Sequence, residues 1–149
     1  MYYGTDDLYL NSLARYVKPG GPVAIAQAGL VSEIEGDVPP HLAEWWAAER
    51  PYCLHSAEWW RRHWERTGLV DLEVADTLPE GWKFWRDWQA LVSPGNEQEI
   101  RALEADAGRS LGYIRCVCRR RADAQLFDPH MSLPVNYTPA PLSRAAESP

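Results

Sequence analysis

Two histidines, His41 and His55, are the side chains of this sequence best suited to take a proton near neutral pH, because imidazole alone titrates there without help. His41 follows Pro39-Pro40 in a long connection, a place that suits a lid over a cavity. His55 directly precedes Ser56, so its competing role is to support a helix cap. Glu33, in the same connection, would steer a cationic substrate or remain a solvated loop acid. His63 lies at helical spacing among tryptophans and reads as a packed helix-face residue. Cys53-x-His55 and Cys116-x-Cys118 raise the question of zinc, but tetrahedral sites draw paired ligands from turns, spaced by about two to four residues. Alternate positions on a strand favour small apolar packing instead, and no metal is expected.

All eight tryptophans fall between Trp45 and Trp88. A cluster of such large rings, each with one N–H donor, marks either a dense core or an aromatic-lined cavity. Trp45, Trp46, Trp59, Trp60 and Trp64 would wall a substrate pocket, stack on sugar or pack the connection against a sheet. Helical spacing favours packing for most, and Trp45 and Trp46 are the pair expected to face a ligand.

The elements that must position these groups can be read in order. Thr5 or Asp6 caps a helix whose Leu10, Leu13, Ala14 and Val17 recur on one face. Pro19 and Gly20-Gly21 stop it and turn the chain into an apolar run, Pro22–Ala28, expected to be a strand covered on both faces. Residues 29–55 form a long insert broken by Gly36 and Pro39-Pro40, with a short helix at 41–48. Ser56 caps a further helix that ends at Gly68, and Val70, Leu72 and Val74 alternate with Asp71 and Glu73 in a strand with one wet face. Pro79 opens a helix with Trp82, Trp85 and Trp88-Gln89 on one side. Asn96 and Glu99 make a capping box for the next helix, which carries Ile100 and Leu103 and is closed by Gly108. Tyr113–Arg119 is the last strand, with Ile114, Cys116 and Cys118 on one face. From Ala122 the chain is proline-rich and poor in apolar residues, and a disordered or loosely docked tail is expected.

Size and charge narrow the classes. A chain of 149 residues, 46% of them hydrophobic, can bury one core. The net charge of -6 argues against a nucleic-acid partner, which needs a basic surface. No apolar run approaches the roughly 20 residues that span a bilayer, so no membrane is expected. Three cysteines without a leader point to a reducing, cytoplasmic setting.

Taken together, the pieces Gly4-Thr5-Asp6-Asp7-Leu8-Tyr9-Leu10, Lys18-Pro19-Gly20-Gly21 entering a strand, Gly29-Leu30 with Glu33-Ile34, Pro40-His41-Leu42, His55-Ser56-x-x-Trp59-Trp60 and Gly81-Trp82-x-x-Trp85 resemble the C-terminal half of a class I S-adenosylmethionine-dependent methyltransferase of the small-molecule type. The likeness runs from about residue 2 to residue 120. It implies an α/β, partial Rossmann-like methyltransferase fold of three strands with flanking helices. Pro22–Ala28 resembles the fifth strand of that family, Leu69–Ala75 the sixth and Tyr113–Arg119 the seventh, the last antiparallel and inserted beside the fifth. Residues 1–121 would be a partial methyltransferase domain with its insert at 29–55, and 122–149 the tail.

The same likeness implies a site. Tyr2, Tyr3 and Gly4 would lie in the loop after the fourth strand and bind substrate with Trp45 and Trp46, while His41 or His55 would act as base. S-adenosylmethionine is the implied donor, yet the family's glycine-rich loop and ribose-binding acid have no counterpart in the sequence. Met1 falls where the fourth strand would just have ended. A gene fragment, a mis-called start and half of a split enzyme are the three accounts expected to cover this. The expected function is therefore transfer of a methyl group to a small molecule by a portion inactive on its own. The alternatives are a non-catalytic partner subunit or pseudoenzyme, and a Trp-lined small-ligand binding module. Self-association, or pairing with another chain, is expected through the open edge of 22–28.

Overall fold

A computed structural model describes residues 3–6 and 8–126. After a 3-10 turn at Tyr3–Thr5 come α1 (Tyr9–Ala14), β1 (Pro22–Leu30), α2 (Ala43–Glu49), α3 (Ala57–Glu65), β2 (Val70–Thr77), α4 (Gly81–Val92), α5 (Glu97–Asp106) and β3 (Leu111–Arg120). The class is α/β, with one three-stranded sheet in the order β1-β3-β2. The last strand among the described residues is therefore the central one. Its direction follows from the pairing at its two ends. Arg120 N–H donates to Gly21 O while Val31 N–H donates to Ser110 O, and Leu78 N–H donates to Tyr113 O while Arg121 N–H donates to Leu69 O. As numbers rise along β1 or β2 they fall along β3, so β3 is antiparallel to both neighbours. The three strands and the reversed last strand are as expected.

The chain resolves into two compact units. The first takes its residues from Met1–Ile25, Glu58–Ala75 and Cys116–Pro149. Here Asp6 Oδ1 accepts the Leu8 N–H at 2.7 Å, which delays α1 to Tyr9 instead of the expected start after Thr5 or Asp6. At the other end of α1 the Arg120 guanidinium donates to the carbonyls of Ala14 and Val17, at 3.2 and 2.6 Å, and closes carbonyls that the helix leaves open. Gly20 has φ 74°, and a Cβ on Gly21 would stand 2.8 Å from Lys18 O, so this turn requires both glycines. Trp59, Trp60 and Trp64 of α3 are buried, Trp60 edge-on to its two neighbours. His63 stacks on Trp59 and is packed among the tryptophans, as the helical spacing indicates.

The second unit comprises Ala26–Ala57 and Asp76–Arg115. Its core joins Leu30, Leu42, Trp45, Leu54, Trp85, Ala102, Leu103 and Leu111. The capping box forms in a variant way. Asn96 Oδ1 accepts the Glu99 N–H, and the Glu99 carboxylate accepts from the Asn96 side-chain amide at 2.6 Å and from Trp85 Nε1 at 2.8 Å. Ala107 and Gly108 both turn left-handed after α5, and the Trp82 ring lies against Gly108 so closely that a Cβ there would sit 2.4 Å from it.

One expectation changes. β1 is not covered on both faces, since Ala24 and Ala26 are exposed. Of the α4 tryptophans, Trp85 is buried and Trp88 is exposed. Residues from 127 onward, where the tail was expected, lie outside the described residues. Among the described residues no helix is long and apolar enough to cross a membrane.

Candidate functional site: a carboxylate-held histidine at the end of β1

β1 ends at Leu30, and there the chain closes the insert on itself. Leu30 forms a parallel bridge with Ser56, and its N–H donates to His55 O at 3.1 Å. Gly29 makes this approach possible, because a Cβ at that position would stand 2.7 Å from His55 O and 2.9 Å from the Ile114 side chain. Three residues beyond Leu30, Glu33 turns back to the same point. One carboxylate oxygen accepts from the Ser56 N–H at 2.7 Å and from the Ser56 hydroxyl at 2.9 Å. The other faces His55 Nδ1 at 3.1 Å.

The proton positions follow from this set. Burial works to raise the Glu33 pKa, but the bonds from His55 and from the Ser56 amide and hydroxyl outweigh it and hold the carboxyl below its usual range. An ionised Glu33 only accepts, so His55 must present Nδ1–H to it, which leaves Nε2 as the basic nitrogen of the ring. A carboxylate that fixes the tautomer and offsets charge on the imidazolium is the arrangement that makes histidine a directed base. Both side chains remain about one-fifth exposed, 21% for His55 and 22% for Glu33.

His41 engages a different acid. Its Nε2 lies 2.8 Å from Asp106 Oδ1, with Asp106 fully buried and His41 26% exposed. Asp106 Oδ2 accepts the backbone N–H groups of Ser110 and Leu111, at 2.9 and 2.8 Å, so this carboxylate pins the turn from α5 into β3. Burial opposes its ionisation, yet these bonds hold it below the usual carboxylate range. His41 donates from Nε2 into that clamp and ties the insert to it.

The remaining predicted site residues divide between the two units. Tyr2 and the side chain of Tyr3 lie outside the described residues. Gly4, in the first unit, is buried against Trp60, and its carbonyl accepts from His63 Nε2 at 3.0 Å. Trp45 is buried in the core of the second unit, edge-on to Trp85, and Trp46 packs at the edge of that core. The packing alternative thus accounts for both rings. Cys53, Cys116 and Cys118 are buried, and burial with the nearby Cys116 and Glu73 charges pushes the Cys118 thiol up to about 12. None is a ready nucleophile. Among the described residues no group of three or more His, Cys, Asp and Glu side chains is arranged to hold a metal.

A cavity of about 90 Å³ lies where β2 runs into α4, lined by Thr77, Leu78, Gly81, Trp82, Gly108 and Gly112 among others. It is far smaller than a nucleoside cofactor requires. The glycines at strand ends are filled by the protein itself, Gly29 by His55 and Ile114 and Gly81 by Tyr113. Sequence reading named His55 but missed Glu33 as its partner, and it missed Asp106 altogether. No protein-family model matches the chain, and no curated protein matches it.

Proposed function

We propose that this chain is the C-terminal, acceptor-side portion of an S-adenosylmethionine-dependent methyltransferase that acts on a small molecule. The observation that carries the reading is the strand order. Two parallel strands separated by a reversed last strand agree with the reversed strand beside the fifth that the resemblance implies, and the Glu33–His55 pair stands at the carboxyl end of β1. Ligands of open α/β sheets bind outside the carboxyl ends of strands.

In this reading His55 Nε2 takes the proton of an acceptor hydroxyl, carboxyl or activated carbon. Glu33 keeps the ring oriented and offsets the imidazolium charge, while Ser56 holds Glu33 with two hydrogen bonds. Such a base contributes about 10²–10⁴ in rate. The donor would be bound by residues other than those described, and the portion is inactive without them.

A second reading, a non-catalytic subunit that docks on a catalytic chain, is favoured by one feature. The outer edge of β1 has no strand neighbour among the described residues, and only Leu30 is bridged there.

Calorimetric titration separates the two. S-adenosylmethionine should give no binding heat with this chain and stoichiometric binding with a polypeptide that adds the donor-holding strands. Methyl transfer by that longer polypeptide should fall about 100-fold or more in His55→Ala. Donor binding without transfer to any small acceptor favours the docking subunit, and stoichiometric binding by this chain alone overturns the first reading.

A further inference from the structure

Within the second unit, one peptide group joins the two acid–histidine pairs. The Ser110 N–H donates to Asp106 Oδ2 at 2.9 Å, and the Ser110 carbonyl accepts the Val31 N–H at 2.8 Å. Val31 is the first residue beyond β1, and Glu33 follows two residues later. Further along the insert, the Leu42 N–H donates to Pro39 O at 2.8 Å and the Leu42 side chain is fully buried, which seats His41 against Asp106 Oδ1. Residues 31–41 are therefore a closed loop, stapled at both ends to the end of α5 and the turn that follows it. Glu33 hangs from the first staple, and His41 makes the second.

His41 sets the state of the acid between them. Asp106 is fully buried, and burial works against its charge while the bonds from His41, Leu111 and Ser110 work for it. A carboxyl that took up a proton would turn one oxygen into a donor and give up part of this acceptor set. Arg109 does not stand in for His41, because its guanidinium is spent on the carbonyls of Asp106 and Ala105. Hydrogen bonds in series polarise one another, so a weaker Asp106–Ser110 bond weakens the Ser110–Val31 bond that follows it. That second bond matters for direction. Leu30 is held by His55 O on one side and Val31 by Ser110 O on the other, and together they aim the chain that carries Glu33.

We infer that His41 is a positioning residue for the Glu33–His55 pair, acting through Asp106 and the Ser110 peptide to fix where the insert leaves β1. The catalytic consequence rests on His55 being the base, whereas the coupling is a property of this chain alone.

Nuclear magnetic resonance on the full chain reads that coupling at His55. His41→Ala should speed solvent exchange of the Val31 amide and of the His55 Nδ1 proton about tenfold, the worth of one hydrogen bond. It should also raise the share of His55 protonated on Nε2. His41→Gln still offers a donor toward Asp106 and should restore both. His41→Asn is too short to reach the acid and should repeat the alanine result, a second readout if the alanine variant folds poorly. The His63 tautomer, in the first unit, should stay unchanged in all three, which separates positioning from general loosening. In a polypeptide that adds the donor-holding strands, His41→Ala should lower kcat about tenfold with KM unchanged. His55 signals that ignore both His41→Ala and His41→Asn overturn the inference, as does a His63 tautomer that shifts alongside them. A response of His55 without methyl transfer by the longer polypeptide supports the positioning role and overturns only the catalytic reading.

Discussion

The second unit holds two acid–histidine pairs of nearly equal geometry, and they differ in what else the acid does. Asp106 is fully buried and spends its second oxygen on two backbone amides. Glu33 is partly exposed and spends its second oxygen on one residue, Ser56, at the end of a strand. The imidazoles are similarly exposed, so exposure of the histidine does not distinguish the clamp from the proposed base. The distinction lies in the acid. A carboxylate saturated by main-chain donors organises the chain, and its histidine is one more strut. A carboxylate held by a side chain and its own amide organises the histidine.

The sharpest way to break this contrast is to remove each acid. Asp106→Ala should cost about 3–5 kcal/mol, because it leaves the buried Leu111 amide, the half-buried Ser110 amide and His41 without their acceptor. Glu33→Gln should cost about 1 kcal/mol. Chemical denaturation of both variants checks the ratio, and equal losses would erase the comparison.

Steric crowding at the His55 end gives the next effect. Gly29→Ala must push His55 O or the Ile114 side chain away and should cost about 1–3 kcal/mol. Among the histidine signals, that of His55 should move most in the variant's NMR spectrum, with His41 little changed.

Acid dependence sharpens the contrast further. Both Asp106 and Glu33 have folded pKa values below their unfolded ones. The stability they contribute is complete above the unfolded carboxylate value of about 4 and is lost as pH falls through it toward the folded values. In Asp106→Asn the loss on acidification should be visibly shallower than in the unsubstituted chain, as read from melting temperature between pH 6 and pH 3.

The smallest effect has the opposite sign. Burial raises the pKa of Glu99, with the Trp85 and Gln89 hydrogen bonds offsetting it only in part. Its charge therefore costs stability above the folded pKa, and that cost fades as the group takes up a proton on acidification. Glu99→Gln loses one of the two acceptor oxygens, so the test lies in the pH trend: its stability relative to the unsubstituted chain should fall by up to about 1 kcal/mol from pH 7 toward pH 4.

Much of the frame was legible in the sequence because it rests on local rules. Asn96 and Glu99 announce the start of α5, Gly20-Gly21 the turn into β1, and the alternation around Asp71 and Glu73 a half-wet strand. Ile114, Cys116 and Cys118 do share the buried face of β3. The failures are non-local. Ala24 and Ala26 look like core residues in an apolar run, but whether a strand face is covered depends on elements far along the chain. The tryptophan spacing on α4 marked a face without telling which side packs inward. His41 and Asp106 are 65 residues apart, and no periodicity links them. Glu33 and His55 are 22 apart and meet only because Gly29 admits the returning chain.

The contrast reduces to where each ring carries its proton. Long-range proton–nitrogen correlation at a pH above the imidazole range should find His55 as the Nδ1–H tautomer. His41 and His63, which donate from Nε2 to Asp106 and to Gly4 O, should be Nε2–H. Glu33→Gln should abolish the distinction for His55 alone. A neutral His55 protonated on Nε2, or one indifferent to loss of the Glu33 charge, would contradict the proposal that this pair is the chemical site.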